Sequence, residues 1–231
     1  MLPLKDLNRS SITPHVNRLL LAANIMIFIV YWSSRLNILF GSPLAGAMDK
    51  EFTMIPGEIV HGQRLYTLFT SMFMHDTSYL VAGLVHLFGN MLYLYIFGDN
   101  VEDAFGHLSY LLFYGVCGVA ADFVHIMSLS NPEDFYVGVL GASGAISGVL
   151  GAYLILYPTA KILTLVSYFI LPVPAIIFLG VWFLMQWFYG FFDISGGVAY
   201  WAHIGGFVAG MILALIFGLR RKKARDARLR L

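Results

Sequence analysis

The chain has 231 residues, of which 59% are hydrophobic, 16% aromatic and only 12% charged. That is about half the charge of an average soluble domain, so the composition excludes a soluble globular protein and leaves little besides membrane spans and short connections. The formal net charge of +1 carries no signal for nucleic acid, none being expected as a partner, and the single Cys117 excludes an intrachain disulfide.

In chain order, residues 1–16 form a polar arm too short to fold alone. A span needs about 20 mostly apolar residues to cross roughly 30 Å of hydrocarbon, and six stretches qualify: 17–34, 80–98, 107–129, 138–157, 171–191 and 198–219. The first does not read as a removable signal, because it lies behind the polar arm and no small-residue cleavage site follows. Residues 41–79 are the longest connection, and Leu65 to Met74 within it reads as an interfacial helix or re-entrant loop. Residues 220–231 form a basic tail. With no repeat or linker between 17 and 219, the expected organisation is one six-span membrane domain.

Charge placement sets the expected topology. With six spans, Lys5, Arg9, Arg18, Lys161 and seven basic residues of the tail, Arg220 to Arg230, fall on one side; Arg35, Lys50 and Arg64 fall on the other. Positive segments stay cytoplasmic. Both termini are therefore expected in the cytoplasm, and the expected location is a prokaryotic plasma membrane.

Span four carries Gly141-Ala-Ser143-Gly144, followed by Ser147, Gly148, Gly151 and Ala152. Small residues at four-residue spacing imply close helix packing and a central position for this span. Span six has His203, Gly206 and Gly210 on one face. The two small-residue faces are expected mates, which would bring Ser143 to His203. Depth agrees with that pairing. Ser143 lies fourteen residues before Tyr157 and His203 seventeen before Arg220, so about 21 and 26 Å above the inner boundary. The site should open toward the outer face, and water must reach it through a cavity.

A serine hydroxyl attacks only when a base takes its proton, and a neutral imidazole is the usual base. Taken singly, Ser143 reads equally as helix packing, and His203 less readily as a buried, hydrogen-bonded core histidine. Matching depth and complementary faces favour a Ser-His dyad. A third residue often orients the imidazole, but Asp122 and Asp193, the acids in or beside spans three and five, do not obviously fill that role. Acyl transfer also needs donors for the oxyanion. His86 and Asn90 in span two share a helix face at i, i+4, and the Ser143 N–H near a helix N-terminus is a further candidate. Asn90 matches the level of Ser143 only if span two continues through Gly98–Asp103. Four further histidines, His61, His75, His107 and His125, read as interfacial or solvated.

Together these residues resemble the rhomboid intramembrane serine proteases. The resemblance rests on Gly141-Ala-Ser143-Gly144, on Ala202-His203-Ile-Gly-Gly206 with Gly210, on His86 with Asn90, and on Gly98-Asp-Asn-Val-Glu-Asp103 followed by Gly106. It implies an all-α bundle of six transmembrane helices with a long membrane-associated first loop. It further implies that Ser143 is the nucleophile, that His203 is its base, and that His86, Asn90 and the Ser143 N–H stabilise the oxyanion. The substrates it implies are transmembrane proteins in the lipid bilayer, cut near the outer face after a small residue. No metal or cofactor is implied. Two positions depart from the family pattern: Gln63 precedes Arg64 where Trp-Arg is usual, and Ser147 stands where an aromatic stacks on the histidine.

Other classes fit less well. There is no HExxH for zinc and no intramembrane aspartate pair. A transporter should show inverted repeats or paired broken helices. An inactive rhomboid-like protein that binds membrane clients is the remaining alternative, and retention of Ser143, His203 and Asn90 argues against it.

Overall fold

The structure, a computed structural model, describes residues 1–38, 42–77, 79–192 and 197–228. Asp193 and Arg230 lie outside the described residues. A strand, β1 (Leu2–Asp6), precedes the first long helix, α1 (His15–Arg35). The first loop carries α2 (Ser42–Phe52), α3 (Pro56–Val60) and α4 (Thr67–Thr70), then a 3₁₀ turn over Ser71–Phe73. Next come α5 (Leu80–Phe105), α6 (His107–Ser128) and α7 (Ser143–Leu156). A hairpin, β2 (Lys161–Val166) and β3 (Phe169–Pro174), leads into α8 (Ala175–Phe192). The chain closes with α9 (Tyr200–Leu213), a π-helical turn and α10 (Leu219–Arg228).

Among the described residues five helices, α1, α5, α6, α8 and α9 with its continuation, are long and apolar enough to cross a membrane. The chain is an all-α, multi-pass integral membrane bundle, with a small sheet at one end. The fourth expected span is shorter than its apolar stretch: residues 137–142 lie ahead of the helix, with Met54 bridging Val139, and α7 has only 14 residues. The fifth starts late because Pro172 and Pro174 lack the N–H that a helix interior needs, so 169–174 pairs as β3 instead.

α7 is enclosed, with every residue from Ala145 to Tyr153 buried. Its glycines allow the approach. A Cβ on Gly206 would stand 2.0 Å from the carbonyl oxygen of Gly144, and one on Gly210 1.9 Å from that of Gly148. The small faces of α7 and α9 therefore meet backbone to backbone, with α6 closing the third side through Ala121, 2.7 Å from a Cβ on Gly144.

The end that carries the N-terminal arm is tied by acids. Glu102, fully buried, accepts the N–H groups of Val16 and Asn17 at 3.0 and 2.7 Å. It thus caps the N-terminus of α1, where a negative charge meets orphan donors and the helix dipole. Asp103 accepts the N–H of Ser11 at 2.7 Å and pairs with Arg225 of α10 at 2.7 Å. Asn100 donates to Asp6 at 2.8 Å. The polar arm is thereby pinned, and β1 adds to β2 as an edge strand in the order β1-β2-β3. The basic stretch expected as a tail is helical through Arg228.

The first loop is tied by arginines. Arg35 binds Asp49 and Thr77, each at 2.8 Å. Arg64 binds Glu58 at 2.7 Å and reaches the Lys50 carbonyl, so it fastens α2 to α3. The loop packs on α6 through Leu68 and Met72, both buried, and Met72 lies against Gly118.

Candidate active site

Ser143 is the first residue of α7. The chain enters the helix through Gly141, whose φ of +127° only glycine adopts readily. The Gly141 N–H is held by the Ser71 carbonyl at 2.9 Å, so the first loop fixes the approach to the serine. At the helix start the N–H groups have no intrahelical acceptor and point toward the serine end. His203 sits in the first turn of α9, its N–H on the Ala199 carbonyl at 3.2 Å.

The close seam between α7 and α9 brings the two side chains together. Ser143 Oγ and His203 Nε2 are 2.8 Å apart, and both residues are half-buried. The other ring nitrogen, Nδ1, lies 2.8 Å from Oε1 of Gln186 on α8. The ring also meets Trp182 of α8, with centroids 6.1 Å apart, and Tyr200 edge-on at 6.3 Å. Ser147 turns away from the imidazole and bonds back to the Ser143 carbonyl at 2.7 Å. Asp122 does not reach His203 Nδ1. It is buried in α6, and its Oδ2 has no partner among the described residues.

α5 runs unbroken to Phe105, the condition under which Asn90 and Ser143 share a level. His86 borders the nucleophile turn: a Cβ on Gly141 would stand 3.2 Å from its Nε2 and 3.8 Å from Ser143 Oγ. The Asn90 amide lies 3.2 Å from Nε2 of His75, and the His75 ring stands edge-on to His86 at 5.1 Å. Burial first, and then the nearby His86, push the His75 imidazole down to about 3. It is neutral and can accept from Asn90.

His75 therefore corrects one expectation: it is fully buried, because the loop folds inward against α5. His61 is exposed and His107 about half exposed. Two groups were missed from sequence. For Gln186 the signal existed, since it is the one amide in the aromatic run 175–192. For His75 there was none, because its burial depends on the loop's path.

A family model described as a rhomboid domain matches residues 62–220, which include α4 through α9 and every residue of this cluster. The chain belongs to the rhomboid family. It is similar to RHOMBOID-like protein 1 of Arabidopsis thaliana, 30% identical over 183 residues that cover 78% of this chain and 42% of that protein. RHOMBOID-like protein 2 of the same plant is 30% identical over 195 residues, 83% of this chain and 54% of that protein. Rhomboid protein 1, mitochondrial, of Saccharomyces cerevisiae is 32% identical over 153 residues, 62% of this chain and 41% of its own length. The match thus spans about half or less of each relative.

Proposed function

We propose that this rhomboid is an intramembrane serine endopeptidase that cleaves the transmembrane segments of membrane proteins near the outer face. The observation that carries the reading is the 2.8 Å approach of Ser143 Oγ to His203 Nε2 across two spans. A hydroxyl and an imidazole at membrane depth are costly, and default to function; here they meet in nucleophile–base geometry.

In the proposed reaction Ser143 Oγ bonds to the scissile carbonyl carbon as its proton passes to His203 Nε2. His86, Asn90 and the Ser143 N–H donate to the oxyanion. His203 then protonates the leaving amine as the C–N bond breaks. Water entering from the outer face hydrolyses the acyl-enzyme, with His203 again taking the proton. The Asn90 amide has a second N–H beyond the one on His75, which leaves it a donor for this work.

The test is a fluorophosphonate probe on the purified full chain. Wild type should be labelled on Ser143; Ser143→Ala should stay unlabelled and fail to cut a transmembrane substrate. An unlabelled wild type would support the client-binding alternative instead. The charge distribution carries the companion proposal that both termini are cytoplasmic. Single cysteines at Ser10 and Gly46 in a Cys117→Ala background should react with an impermeant thiol reagent only at Gly46 in intact cells. Labelling at Ser10 alone would invert the topology.

A further inference from the structure

Between Ala175 and Phe192 the chain offers lipid nothing but apolar and aromatic side chains, except at Gln186. An amide at that depth is unfavourable unless hydrogen-bonded, and Gln186 is buried, 8% exposed. Its Oε1 lies 2.8 Å from His203 Nδ1. Trp182, one turn earlier and on the same helix face, lies beside the same ring. Two side chains of α8 thus hold an imidazole that belongs to α9.

The chemistry explains why the second nitrogen matters. A neutral imidazole carries one N–H, and only the Nδ1–H tautomer leaves a lone pair on Nε2 to receive a proton. With the proton on Nε2, the ring would face Ser143 as a donor and could not act as base.

We propose that Gln186 is a positioning residue for His203: its side-chain carbonyl accepts the Nδ1–H and so keeps the Nε2 lone pair on Ser143. This rests on the serine hydrolase reading above and supplies that reading with its missing third member. An amide serves here where soluble hydrolases commonly use a carboxylate, because it fixes the tautomer without placing a net charge in hydrocarbon. An acceptor-only side chain at 186 should do the same work. An apolar side chain of equal length should not.

The experiment is the rate of Ser143 labelling by a fluorophosphonate as a function of pH, with kcat and KM on a transmembrane substrate, for wild type, Gln186→Met and Gln186→Glu. Gln186→Met should lower both the labelling rate and kcat about 10–100-fold, with KM within about threefold, a fraction of what general base catalysis supplies. Gln186→Glu should recover most of that rate. Its acidic limb should move to higher pH, because a carboxylate at Nδ1 favours the protonated ring. The other titratable groups that face His203 are His86 on α5, His125 on α6 and Tyr200 on its own helix. All three remain in every variant, so the moved limb reports position 186. Wild-type rates in Gln186→Met would overturn the proposal. So would equal losses in both variants with an unmoved limb, which is the outcome for a side chain that only fills space. Labelling that persists in Ser143→Ala would overturn the hydrolase reading itself, and the role of Gln186 with it.

Discussion

The two ends of the bundle bury polar groups in opposite ways. At the end that carries the N-terminal arm, the carboxylates of Glu102 and Asp103 take backbone N–H groups of the arm and α1, and Asp103 also takes an arginine. Each acid there is saturated by partners that the fold holds still. At the dyad end the bonds run between side chains of separate segments: Ser143 with His203, His203 with Gln186, Asn90 with His75. Those groups retain unused donors and acceptors. Saturated polar networks rigidify a fold, whereas partly satisfied ones keep capacity for a ligand. The arm end is filled, and the dyad end keeps groups to spare.

The hardest blow to that contrast would come from the dyad. Ser143→Ala, His203→Ala and the double variant should each lose about 10⁴-fold or more in kcat/KM, by nearly equal amounts, since neither residue works alone. Thermal unfolding in detergent should barely move. Additive losses would mean that the pair is not a unit.

Asn90→Ala should cost about 10²–10³-fold in kcat, with a smaller effect on KM, as expected for a donor used only in the transition state. A change confined to KM would shift Asn90 from chemistry to binding.

The arm end should give the reverse pattern. Glu102→Ala uncaps α1 and strands two N–H groups, a loss of about 2–3 kcal/mol for bonds to a charged acceptor. In a chain of this size that lowers Tm by about 4–12 °C. Residual kcat, measured well below the new Tm, should stay near wild type. A variant with wild-type Tm but lost kcat would erase the distinction between the two ends.

The smallest effect sharpens it. Burial raises the Asp6 carboxyl above its ordinary 3.8, against the Asn8 N–H that it accepts at 2.6 Å. Ionising Asp6 is therefore harder in the fold than in the unfolded chain, and the penalty grows as pH rises from 3.8 through the raised value. Asp6→Asn cannot ionise but gives up one of the two oxygens that face Asn8 and Asn100, so it should start below wild type in acid. Its Tm relative to wild type should then rise by a few degrees from pH 3.8 to neutral, about 2–4 °C for each kcal/mol. A difference that does not change with pH would point away from the carboxyl's burial.

How much of this was legible in the sequence follows from what each feature depends on. The meeting of Ser143 and His203 could be read because glycines at three- and four-residue spacing mark both faces of one seam. The membrane bundle could be read from composition. α8 hid its role because it is apolar almost all round, so periodicity does not tell which side turns inward, and only Gln186 marks the answer. The hairpin at 161–174 was hidden by its hydrophobicity, which suits a span as well as a strand; the two prolines were the discriminating residues. His75 could not be read at all, since a loop's path is set by distant partners such as Arg35 and Arg64.

The hairpin also sets where α8 is free to move. The first two N–H groups of that helix are held by the carbonyls of Ala160 and Pro158, at 2.8 and 2.9 Å, and β3 runs straight into it from a sheet shared with β1. Its base is thus clamped to the turn that ends α7, and any excursion of α8 is the swing of a lever about that clamp. Gln186 sits eleven residues along the arm, about 16 Å from the pivot, so a tilt of only about 10° carries its amide about 3 Å. That is the difference between a hydrogen bond to His203 and none, so on the role proposed for Gln186 the tautomer and aim of the imidazole follow how α8 leans.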